Sequence, residues 1–420
     1  MRLFPIAVLV LALLVEAALP AQTPAEWSVQ GKKLKAAGDA AGALDAFRKA
    51  AELNPKSAEL QDEIGFLLAV LSRHEEAMPH FDLAIRLDPS YAPAYFHLGV
   101  GLWLQQKPER AISSLQQAVK LAPKSAEYRF RLGSMFYEAG QDEPALTELK
   151  TATSIDPKRA EVWNALGLAQ QRRGNRPGAL AAYQQAVNLV PGETKYRNNL
   201  GLALVDNGEA AKGIAEFQRI LKQDPANRTA EVNIGYAYLQ KGDYDLATLQ
   251  FRRLLQQDPN LAVVHYDLGL ALKQKDQLEE AKKEFHEALR LQPDMVEAYY
   301  TLGITAWQNG DFDETIEAMR NAVKQNPSYA EAHYMLGTAL KQKGDLTEAA
   351  SALTEAIRLN PNTPGPYNTL AQILQIQGDR EGAQRLFAQA AEVKRKTEAE
   401  EARRLGTAGP ATPAPPNAKH

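Results

Sequence analysis

Across 420 residues, 48 basic and 51 acidic side chains nearly cancel, leaving a formal net charge of −3, so the chain lacks the positive field with which a protein meets a polyanion, and no nucleic-acid partner is expected. Cysteine is absent, which excludes disulfides, thiol catalysis and thiolate metal sites. Hydrophobic residues make up 45%, enough for a continuous core.

Residues 1–21 have the layout of a secretory signal: Arg2, an apolar run from Ile6 to Val15, then Ala17-Ala18-Leu19-Pro20-Ala21, with cleavage expected after Ala21. That apolar run is too short to cross roughly 30 Å of hydrocarbon as a helix. The expectation is an exported chain, periplasmic or secreted if the source is bacterial, with no transmembrane span in its mature form.

From residue 24 the chain is periodic. Pro55, Pro89, Pro123, Pro157, Pro191, Pro225, Pro259, Pro293, Pro327 and Pro361 are spaced by 34 residues every time. In the unit from Ala330 to Pro361, His333, Leu336, Gly337 and Leu340 share one helical face, and Leu346, Ala349, Leu353, Ala356 and Ile357 share another. Gly344-Asp345 separates them, a glycine to close one helix and an aspartate to start the next, with Glu348 placed to complete a capping box. The proline ends the unit.

Counting places from residue 24, the eighth is glycine in ten units, Gly31 through Gly337, and Ala371 in the eleventh. A glycine inside a helix costs about 1 kcal/mol relative to alanine, so close approach of a second helix is the expected reason. The twentieth place is small (Ala43, Ala77, Ala111 and so on) and the twenty-fourth large (Phe47, Phe81, Leu115 through Phe387). Gly213, at the twentieth place, reads as volume compensation for Ile220, which stands where most units have alanine. In the first unit Gln30 replaces the usual Leu or Ile, as suits an end facing water. In the last, Arg395 replaces the proline, so the helix is expected to continue past the array (22–397) through a charged extension, 398–405. Residues 406–420, GTAGPATPAPPNAKH, form a Pro/Ala-rich tail expected to be disordered.

This 34-residue helix–turn–helix unit, with Leu-Gly, Ala, Phe, Ala and Pro at these intervals, resembles the tetratricopeptide repeat, and the resemblance covers Pro24 to Thr397 in eleven units. It implies an all-α fold, a right-handed superhelical solenoid of helix pairs whose concave groove is lined mainly by the first helix of each pair.

No catalytic constellation is visible. The seven histidines (His74, His80, His97, His265, His286, His333, His420) form no HExxH and no i,i+4 pair, and every abundant glycine is explained by packing or turns. No metal, cofactor or enzymatic activity is expected. In the groove implied by the resemblance, the fifth and neighbouring places carry two aromatic sets: Phe96, Val100, Trp103, Leu104, Phe130 and Tyr137, then Tyr266, Tyr300, Trp307 and Tyr334, with Lys273 and Lys341 at the rim of the second. Between them the sixth place reads Asn199, Asn233 and Asp267. Rings with few rotatable bonds are common anchors in binding sites, and equally serve to pack helix on helix. The mostly apolar ninth place does not fit the carboxylate clamp of chaperone-binding repeats, and the asparagine ladder of O-linked glycosyltransferases is matched only at Asn199 and Asn233. The resulting expectation is an exported non-catalytic scaffold that binds a protein or peptide in its groove, in an envelope assembly or secretion complex; the alternative is a glycan-binding subunit of an export system.

Overall fold

The computed structural model describes residues 22–404; the leader, 1–21, and the tail, 406–420, lie outside the described residues. Within them the chain is all-helical, 22 helices in eleven hairpins, with first helices such as Ala58–Val70 and Ala262–Gln274 alternating with second helices such as His74–Leu87 and Leu278–Leu291. The chain forms two compact units, one through Tyr196 and one from Arg197, the division falling inside the helix Thr194–Asp206.

Each hairpin turns because one residue takes the left-handed backbone conformation. In the tenth repeat Gly344 has φ +89°, its N–H bonds Lys341 O at 3.1 Å, and the Asp345 N–H bonds Leu340 O at 3.0 Å, so the last carbonyls of the first helix are satisfied. Eight repeats place glycine at this position; the second, third and eighth hold Ser72, Gln106 and Asp276 there at φ 57–61°. At the other end of the repeat the Asn360 N–H closes the second helix on Ala356 O at 2.9 Å, and its side chain accepts from the Asn362 N–H beyond Pro361.

The expected capping box at Asp345 does not form. Glu348 is held instead by Arg320 of the preceding repeat, at 2.7 and 2.9 Å, and Asp345 makes no side-chain cap. A charge-assisted bidentate pair outcompetes a neutral backbone donor for the same carboxylate. His286–Glu314 and Arg252–Glu280 bridge successive second helices in the same register. A complete capping box occurs at Thr23–Glu26.

The core is a series of large side chains, each resting on a glycine of its own repeat. A Cβ built on Gly235 would lie 2.4 Å from Phe251 Cε1, and one on Gly167 would lie 2.5 Å from Tyr183. Phe47, Leu115, Leu149, Tyr183, Phe217, Phe251, Phe285, Met319 and Leu353 are all 0% exposed. The glycine is therefore the hole for the twenty-fourth-place knob, and it also lies against the small twentieth place: a Cβ on Gly65, Gly99 or Gly337 would stand 3.0–3.1 Å from the carbonyl oxygen of Ala77, Ala111 or Ala349. In the last repeat Ala371 takes the glycine place, and Phe387, on the last described helix, is 37% exposed. Gly213 also has a different cause from Ile220. A Cβ there would meet Gly201 O and Val205 Cγ2, both at 2.7 Å, so the close backbone of the facing helix and its β-branched Val205 together exclude the usual alanine.

Candidate partner-binding face

Successive first helices meet with a one-residue offset, so the fifth place of one repeat reaches the sixth place of the next, 35 residues on. Three bonds follow this register: His97 Nδ1 with Asp62 Oδ1 at 2.8 Å, Asn233 Nδ2 donating to Asn198 Oδ1 at 2.6 Å, and Tyr266 Oη with Thr301 Oγ1 at 3.3 Å. A parallel register joins the twelfth and thirteenth places: Trp103 Nε1 donates to Glu138 at 3.0 Å, and the Arg172 guanidinium sits 3.6 Å above the Tyr137 ring.

In the unit that ends at Tyr196 the first aromatic set is divided among three cavities. Phe96 stacks on Tyr128 with centroids 4.6 Å apart and, with Phe66, Val70, Val100 and Leu104, lines an apolar cavity of about 380 Å³. Trp103 belongs to another, with Ile112 and Gln141. Phe130 and Tyr137 share a third with Asn164, Leu168 and Tyr196. Arg131 and Arg159 each lie 5.4 Å from the Phe130 ring, and Arg159 is fixed by Glu127 and Glu161, both at 2.7 Å. Burial raises the Tyr128 hydroxyl above its usual titration range.

In the unit that begins at Arg197 the second set is half-buried, each ring resting on a side chain outside the set. Tyr266 lies 5.8 Å from Phe285, Tyr300 lies 4.9 Å from Tyr329, and Trp307 lies 5.0 Å from Phe312. The Tyr334 hydroxyl fills the space over Gly365, where a Cβ would stand 2.8 Å from it. Burial raises both Tyr266 and Tyr300. Asn199 and Asn233 are likewise half-buried, and Asn233 is committed to Asn198. Lys341 is bonded to Gln372, and burial holds Lys273 below the usual lysine range. Asp267, buried beside these rings, is pushed up to about 7 by desolvation.

Sequence reasoning placed all ten candidates on first helices but missed their partners, among them Tyr128, Tyr329, Arg172 and the Asp62–His97 pair. The signal for the last was present as a 35-residue spacing, which becomes readable only once the offset between helices is known. Among the described residues no helix is long and apolar enough to cross a membrane, and no three His, Cys, Asp or Glu side chains are grouped to hold a metal ion.

Family models described as tetratricopeptide repeat match residues 29–92, 164–228, 198–262, 266–314 and 300–364, with further repeat models at 92–125, 133–174 and 367–400. The chain belongs to the tetratricopeptide repeat family. No curated protein sequence matches it. Among solved structures this repeat protein is similar to MamA (27% identity over 39% of this chain and 96% of that one, TM-score 0.38). It is also similar to YrrB, described as a TPR protein with an unusual peptide-binding site (22%, 44% and 96%, TM-score 0.41), and to yeast Tom70 (15%, 91% and 96%, TM-score 0.48).

Proposed function

We propose that this tetratricopeptide repeat protein is an exported, non-catalytic scaffold that holds a segment of a partner polypeptide along its first helices, within an envelope assembly or secretion complex. The observation that carries this reading is the apolar cavity beside Phe96. Val70 and Leu104 at its edge are 54% and 64% exposed, so large aliphatic side chains there are left open to water. Covering them with apolar side chains of a partner removes that surface from water at about 25 cal/mol per Å².

The glycan alternative asks for open ring faces, and two candidates each have one covered: Arg172 lies over Tyr137, and Tyr128 over Phe96. This favours a polypeptide. The test is retention from native envelope extract by the mature chain and by Leu104→Glu, a substitution on an exposed side chain that leaves the core intact. A specific polypeptide retained by the first and lost from the second supports the proposal. Retention of oligosaccharide without polypeptide refutes it, and an intact Met1 in cytosolic material, in place of a chain starting at Gln22, refutes export.

A further inference from the structure

Asp267 is the one place in the second unit where the register between first helices puts a carboxylate opposite a side chain that cannot bond it. Counting back 35 residues from Asn233 and Thr301 gives Asn198 and Tyr266, both polar and both bonded. Counting back from Asp267 gives Val232. Asp267 is only 8% exposed, its carboxylate oxygens are not fully enclosed, and among the described residues neither a hydrogen bond nor an ion pair engages it. An unpartnered buried carboxylate is costly, and a structural role alone would be served better by Asn or Thr, as at the same place in the neighbouring repeats.

We infer that Asp267 is the receptor for a basic side chain, Lys or Arg, of the polypeptide that this protein holds, entering beside Tyr236 and Tyr266. The inference rests on the polypeptide-binding reading above and names one determinant of that partner. Charge complementarity favours a cation: Asp206 and Asp267 act together on the Tyr236 hydroxyl, and Asp267 and Glu297 on that of Tyr266, raising both in the same sense as burial. The two rings add faces that attract an ammonium or guanidinium group.

Among the described residues no cation satisfies the site. Lys273 lies six residues further along the same helix, about 9 Å of helix axis away. His265 is held by Glu284 of the second helix of its repeat, at 2.6 Å, and by Pro259 O at 3.0 Å. The titratable groups around Asp267 are thus the phenols of Tyr236 and Tyr266, with Asp206 and Glu297 beyond them, all neutral or negative, and the His265–Glu284 pair. Desolvation holds the Asp267 carboxyl at about 7 in the free protein. A bound ammonium or guanidinium restores the charged form, so binding releases a proton below that pH.

The test is selection of random twelve-residue peptides on the mature full-length chain and, in parallel, on Asp267→Asn and Val232→Asn, the last supplying the missing ladder partner. The expected result is a Lys or Arg fixed at one position of the peptides selected by the wild type, absent from those selected by Asp267→Asn and weakened for Val232→Asn. A synthetic selected peptide should bind Asp267→Asn at least tenfold more weakly. Its wild-type affinity should fall about tenfold for each pH unit below 7 while its affinity for Asp267→Asn stays level. Peptides enriched without a fixed basic residue, or a pH profile shared by wild type and Asp267→Asn, overturn this inference and leave the polypeptide-holding function standing. Failure to enrich any peptide on the wild type overturns both.

Discussion

Replacing Gly235 by alanine tests the knob-and-glycine packing most directly. Gly235 lies inside the helix Arg228–Lys241, and in an exposed helix the change would be stabilising by about 1 kcal/mol from propensity alone. Here the new Cβ would sit 2.4, 2.8 and 2.9 Å from Cε1, Cδ1 and Cζ of Phe251, a ring with 0% exposure that must shift or push the helices apart. Overpacking of this kind costs about 1–3 kcal/mol, so the expected net effect runs from near neutral to a loss of about 2 kcal/mol. In a Phe251→Val background the knob is shortened, the clash is relieved and the gain of about 1 kcal/mol should reappear, giving a coupling of roughly 1–3 kcal/mol between the two sites. Repeat arrays open locally, so native-state hydrogen exchange at amides of Arg228–Lys241 and Tyr244–Gln257 is the appropriate assay. Equal stabilisation by Gly235→Ala in both backgrounds would mean that ring and glycine do not compete for space, and would refute the packing argument.

Two further expectations follow from backbone conformation and burial. Gln106→Gly, which relieves a non-glycine φ of +57°, should stabilise its hairpin by about 1 kcal/mol, whereas Gly242→Ala at φ +84° should destabilise by a similar amount; local exchange at the two turns checks both. For Asp267 the folded carboxyl titrates near 7 against 3.8 in the unfolded chain, so the native state holds more protons between those values. Its contribution therefore disfavours folding increasingly as pH rises from about 4 to 7, by about 1.4 kcal/mol per unit and of order 4 kcal/mol in total. Local stability of the helix Ala262–Gln274 compared between pH 5 and pH 8 should show this loss in the wild type and lack it in Asp267→Asn. Identical pH slopes in the two proteins would contradict the burial argument.

The repeat itself was legible without coordinates because it is dictated locally. A 34-residue proline spacing, two amphipathic stripes and a turn glycine specify a helical hairpin that cannot bury its apolar faces alone, and stacking follows from that need. Even the mid-helix glycines announced a close approach, since ten unfavourable residues at one place require a compensating contact. The partners of these features depended on distances that no periodicity encodes. That Gly235 carries the ring of Phe251 depends on how the two helices are offset. That the Gly201 carbonyl and Val205, rather than Ile220, force Gly213 depends on which atoms of the facing helix lie across the contact. Glu348 was placed correctly for a cap and is taken by Arg320 of the previous repeat, because a cation on a neighbouring helix outweighs a nearby neutral donor. On the candidate face, sequence places Asn233 and Asp267 in one polar run. Tertiary structure separates them, pairing the first with Asn198 and setting the second opposite Val232, because a one-residue stagger between helices decides which side chain each one meets.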